Sequence, residues 1–246
     1  MILSRITRAV REQNWFAVAI EFVIVVAGVL LAFQFSLMSQ QQAERARVVA
    51  QIELVEVEMR SNLERVRVNL ETLETSNANL RELRVQLAEF GEETDMARLD
   101  GLALYAFSHP ELDVESFALE RLEDMDGRQL ISGTELESAL VEWRRFFRVL
   151  RDTETNIEAM IEATNAGSKF ERLSMEAIVR TFPEIGLVEP VPVRFETDWR
   201  ALSRDPEFAD HLALFALNLE FLWLTNQWLE GASQSVLTAI EEGDRP

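Results

Sequence analysis

The chain has 246 residues, a formal net charge of −19, 48% apolar and 27% charged content, and no cysteine. That balance supports a packed core in one large or two small domains and argues against wholesale disorder. The acidity argues against a nucleic-acid backbone as partner, and the lack of thiols excludes a disulfide frame, a Cys-ligated zinc and a thiol nucleophile.

Residues 1–14 read as a short basic tail, with Arg5, Arg8 and Arg11 against Glu12. From Trp15 to Phe33 follow nineteen residues that are apolar except for Glu21. A spanning helix needs roughly 20 such residues, so 15–38 is expected to be a transmembrane helix. A cleaved signal peptide has a shorter apolar core and a small-residue site after it; "FQFSLMSQQQ" is a poor substitute, which favours an uncleaved signal anchor. The arginines favour a cytoplasmic N-terminus. Residues 1–38 carry a net +1 and the remainder −20. The bulk of the chain is then expected in the periplasm of a bacterium, anchored by a single pass in the inner membrane.

Glu21 needs an explanation, since an acid within a span costs about 2–3 kcal/mol on insertion scales. A shallow, snorkelling carboxyl is one reading. A pilin-type processing signal is another, but here Phe16 stands five residues before Glu21 and no Gly precedes it. The preferred reading is a helix-contact face. Ala17, Glu21, Ile24, Gly28 and Ala32 share one stripe, and Gly28-x-x-x-Ala32 is a small-residue pair that admits another backbone. The expected partners are the bilayer and other transmembrane helices, in a homo-oligomer or an inner-membrane complex.

Residues 39–91 read as one long helix, with no Gly or Pro between Val29 and Phe90. Ile52, Met59, Val66, Leu73, Leu80 and Leu87 form one heptad column. Val49, Leu63 and Leu70 suggest a second, interrupted by Glu56, Asn77 and Arg84. Such broken columns suit an intramolecular bundle better than a uniform dimer. Counted back in sevens, the second column reaches Gly28 and Glu21. Gly91 is the expected stop.

Residues 92–246 read as a helical domain packing on that helix. Helices are expected over Met96–Phe107 and Val114–Met125, then after Thr134, whose N-cap with Glu137 forms a capping box. Leu136, Leu140, Trp143, Phe147 and Leu150 trace its apolar stripe. Lys169–Phe182 reads as a further helix and 183–199 as a Pro-rich extended connector. Asp205-Pro206 opens a last helix to about residue 241. Its "LALFALNLEFLWL" is apolar nearly all round, which points to a buried central helix rather than a second span.

No residue pattern points to catalysis, a cofactor or a metal. His109 and His211 are the only histidines, and any Ser-His-Asp set would be an arbitrary choice. "LEDMDGRQLISG" mimics a calcium loop, but Leu122 and Gly133 occupy ligand positions. "EWRRFFRVLR" reads as a solvated face around Trp143 and Phe147.

The basic start, Asn14-Trp15, Glu21, Val25-Val26-x-Gly28, Gln34, and later "LISGTELESALVEW" (Leu130 to Trp143) resemble an uncharacterised family of bacterial single-span membrane proteins, a domain of unknown function. Phe35 to Met38 depart from the Asn-Trp that often follows the Gln there. The resemblance implies a helical extracytoplasmic domain and supplies no activity. The expected fold is all-α: an N-terminal transmembrane helix continuing into a long helix within a periplasmic bundle. The expected role is a non-enzymatic structural or interaction subunit, accessory to an inner-membrane assembly. The alternative is a periplasmic sensor-like ligand-binding domain acting through a partner, because the short tail leaves no room for an output domain.

Overall fold

The computed structural model describes residues 15–166, 172–181 and 193–243. All regular structure among them is helical. Helix α1 runs unbroken from Trp15 to Ala88, 74 residues or about 110 Å long. It stops three residues short of Gly91, whose N–H is taken by Thr94 Oγ1 at 2.9 Å. Helix α2 (Met96–Ala103) is capped by Asp95 and ends in a 3-10 turn over Leu104–Ala106. Helix α3 is Phe117–Glu123, followed by a 3-10 turn at Asp126–Leu130. Helix α4 is Glu135–Ala166, α5 Met175–Arg180, α6 Trp199–Leu202 and α7 Pro206–Glu242.

Helix α7 lies between α1 and α4 and runs antiparallel to both. Asn69 of α1 donates to Asn226 of α7, and Arg60 reaches Glu241 farther along. On the other side Trp143 Nε1 donates to Ser233 Oγ at 2.9 Å, while Met160 lies beside Asn218. Val66, Leu73, Leu80 and Leu83 of α1 are fully buried, as are Phe215, Leu219, Leu222 and Leu229 of α7 and Trp143, Leu150 and Ile157 of α4. Each such side chain contributes roughly 1.5–3 kcal/mol of transfer free energy. The near-continuous apolar character of α7 follows from having packed neighbours on two sides.

The groove on the other side of α1 is filled by an extended stretch that leads into the short helix α3 and the 3-10 turn after it. Residues 106–131 descend it, and their partners on α1 step back towards the N-terminus. Arg65 takes Asp113, Asn62 brackets Glu115, Glu58 and Gln51 hold Ala118, and Gly127 sits on Val48. A Cβ at Gly127 would collide with Val48 and approach Glu44 Oε1 to 2.8 Å, so glycine is required for this close contact.

The heptad seam differs from its expected register in one respect. Ile52, Met59, Val66, Leu73, Leu80 and Leu87 are all buried. The column paired with them is Val48, Val55, Asn62, Asn69, Ser76 and Leu83, all buried and four residues ahead of the first. Leu63 and Leu70 lie half-buried on its flank. Hydropathy favours Leu63 and Leu70 over Asn62 and Asn69, but the asparagines meet polar partners inside the bundle.

Other expectations shift at element ends. The helix expected over Val114–Met125 covers only Phe117–Glu123, because the chain before it lies extended along α1. The helix expected at Lys169–Phe182 is described only over Met175–Arg180, opened by Ser174, whose Oγ accepts from Ala177 N–H at 3.2 Å. Lys169 and Phe182 lie outside the described residues, as do 183–192 of the expected connector and 1–14 of the expected tail. Trp199, assigned to that connector, instead begins α6 behind the Asp198 cap. Asp205 caps α7 as expected, accepting from Glu207 N–H at 2.9 Å.

The register makes a graded prediction for the full chain in lipid nanodiscs. Val66→Asp and Leu73→Asp should each destabilise by several kcal/mol through an unpaired buried charge. Leu70→Asp should be much milder. Chemical unfolding followed by circular dichroism tests this, and equal losses at all three positions would refute the register.

Candidate functional site

The expected membrane-contact face lies on the free end of α1. Nothing described packs against Phe16 or 18–36, and the window long and apolar enough to cross a membrane has no buried residue. Glu21 and Ala32 are exposed, Ile24 is 64% exposed, and a Cβ added at Gly28 would meet nothing within 4 Å. Ala17 belongs to the same helix, but its side chain is outside the described residues. The structure thus places the stripe on a part of α1 that no described residue covers. It does not bring the stripe to the bundle seam, which begins at Val48, about 15 Å beyond Met38.

The bundle's polar interior holds up the descending chain. Asn62 donates to Glu115 C=O at 2.7 Å and accepts from Glu115 N–H at 3.0 Å. Glu58 accepts from Ala118 N–H at 2.7 Å and Leu119 N–H at 3.2 Å, while Gln51 donates to Ala118 C=O. Glu154 on α4 accepts from Leu112 N–H at 2.9 Å and also from Arg151. These residues satisfy main-chain groups that would otherwise be costly to bury. Their role is structural.

The histidines sit in similar surroundings. His211 is buried, with its ring stacked on Phe107 at 5.2 Å and Nε2 3.3 Å from Ala106 O. His109 Nδ1 lies 3.3 Å from Pro110 O. Among the described residues no three metal-ligating side chains converge. The segment that mimics a calcium loop serves as the contact of Gly127 on α1. In "LISGTELESALVEW", Gly133 has φ +77°, a left-handed value suited to glycine, and its N–H donates to Glu137 at 2.7 Å. Thr134 Oγ1 accepts from Glu137 N–H, so the motif is a helix start.

Compared with protein-family models, curated proteins and solved structures, the chain matches none.

Two features were hidden in the sequence. The first is a ridge on α7, where Leu214, Leu217, Phe221 and Trp228 stay exposed at spacings of 3, 4 and 7. The apolar run concealed it, because inward and outward positions are equally hydrophobic. The second is a pair of adjoining hollows between α1 and α7. One, of about 500 Å³, has Leu87, Leu202, Phe208 and Leu212 in its lining, with Arg81 and Arg84. The other, about 340 Å³, shares both arginines and adds Ala213, Ala216 and Glu220. A further hollow beside Trp143 and Phe147 carries Arg144, Arg148 and Arg151, but Arg144 pairs with Glu123 and Arg151 with Glu154.

At the far end of the bundle, buried Asp100 accepts from Trp199 Nε1 at 2.9 Å, with Arg180 at 3.8 Å. Burial raises its pKa above the ordinary aspartate value; the hydrogen bonds from Trp199 and Thr197 and the charge of Arg180 oppose this, while Glu196 adds to it. A raised acid in the fold binds its proton more tightly than in the unfolded chain. Ionisation therefore costs stability as pH rises from the unfolded pKa through the folded one, and the full penalty remains above it. Asp100→Asn, which keeps an oxygen for Trp199, should gain on the natural chain as pH rises from 3 to 7. Paired thermal unfolding curves test this; a pH-independent difference would refute it.

Proposed function

We propose that the chain is a non-enzymatic, membrane-anchored interaction subunit of a bacterial inner-membrane assembly. Its N-terminus lies in the cytoplasm and its helical bundle in the periplasm. The observation that carries this reading is the continuity of α1. An exposed apolar helix able to cross a membrane passes without a break into the packed seam of the bundle. An apolar helix with no packing partner among the described residues finds cover in lipid and in neighbouring helices. Glu21 supports a neighbour, because a carboxyl in hydrocarbon is costly without a hydrogen-bond partner. Arg5, Arg8 and Arg11 support the orientation.

Alkaline phosphatase joined after Pro246 should be active in a bacterial host; an inactive fusion would refute the orientation. Single cysteines along residues 17–32 should crosslink to neighbouring chains in native membranes with maxima at 17, 21, 24, 28 and 32. Gly28→Leu should abolish those maxima by blocking close approach, and Glu21→Leu should weaken them more than Glu21→Gln. A uniform profile, or one centred on Val18, Val25 and Val29, would remove the proposed contact face.

A further inference from the structure

We infer that the groove between α1 and α7 is a binding site for a single-chain amphiphile with an anionic head, such as a medium-chain carboxylate. Its deep part is apolar. Leu87, Leu202, Phe208 and Leu212 are almost fully buried in the fold yet line the hollow, and Val85 stands 50% exposed at its edge. The volume of about 500 Å³ falls within the range of small-molecule sites.

Charge selects the head group. Arg81 and Arg84 border both hollows, so they stand where the apolar part meets the shallower extension. Neither forms an ion pair among the described residues, whereas Arg98 pairs with Glu82, their neighbour on α1. Two guanidiniums three residues apart on a helix project to one side and suit a carboxylate or a sulfate. The other polar groups of the extension are Asn77, which can donate to the same head, and Glu220, which disfavours a head placed far from the arginines. A neutral chain would leave the arginines unanswered, and a cationic one would be repelled.

The position excludes a lipid still seated in the bilayer. Arg81 lies 43 residues beyond Met38 on one continuous helix, about 65 Å from the end of the proposed span. The ligand is therefore a free or delivered amphiphile. The extra activity is ligand binding by the bundle, independent of the contact face on the anchor.

The full chain in zwitterionic nanodiscs can be titrated calorimetrically with decanoate, with empty nanodiscs as reference. Saturable binding is expected. Arg81→Gln/Arg84→Gln should weaken it at least about tenfold, and decanol should bind at least as much more weakly. Decyltrimethylammonium should not saturate, and anionic phospholipid in the disc should leave decanoate affinity unchanged. Ala209→Trp should close the groove; because both arginines are exposed, their double variant provides a test in a chain that keeps its core. Heats equal to those of empty discs overturn the assignment. So does equal binding of decanoate, decanol and the ammonium, or unchanged affinity in the double arginine variant. Those results would leave the groove to a polypeptide or to solvent.

Discussion

The bundle depends on how a buried main chain without a helix or a sheet finds hydrogen-bond partners. The stretch from Ala106 to Ala118 lies along the groove of α1, mostly outside regular structure, with Leu112 and Val114 turned inward and Glu111, Asp113 and Glu115 exposed. Its amides and carbonyls are met one by one, by Glu154 at Leu112, Asn62 at Glu115, and Glu58 and Gln51 at Ala118. Removing any of these side chains leaves a donor or acceptor stranded away from water, which costs about 1–3 kcal/mol. The same polar groups fix the alignment of α1 against the rest of the chain. Asn62 brackets a single residue, Glu115, with both its donor and its acceptor, so a shift of one residue would break both bonds.

This constraint explains why α1 is not a simple coiled-coil strand. Two heptad columns face inward, one apolar throughout and the other apolar at its ends but polar at Asn62, Asn69 and Ser76. The apolar column meets α7 through dispersion and exclusion of water. The mixed column serves two neighbours: Asn62 the descending chain, and Asn69 the facing Asn226.

Much of the fold was legible because its signals are local. Asp205-Pro206 and Thr134 with Glu137 announce helix starts through cap chemistry, and they appear where the chemistry requires. The uninterrupted column from Ile52 to Leu87 was equally plain. The second column was not, because Asn62 and Asn69 read as surface residues until their partners, 53 and 157 residues away in sequence, are known. Trp199 was misassigned because prolines nearby outweighed the Asp198 cap. The open faces of the molecule were the least legible part. In α7 the exposed Leu217 and the buried Leu219 differ only in what stands opposite them. The arginine-bordered groove joins residues 81–88 to residues 202–212, so no window of sequence contains it.

The unbroken course of α1 also has a mechanical meaning. Between Met38 and Val48 a single α-helix carries the whole bundle, with no glycine or proline to act as a hinge. A stiff helix transmits orientation as well as position. If residues 15–38 tilt by about 20°, a common angle for spanning helices, the distal end of α1 is carried sideways by roughly 25 Å. Rotation of residues 15–38 about the helix axis would turn every face of the bundle by the same angle. The chain is thus built as a lever, in which small angular changes at the foot become large displacements at the tip.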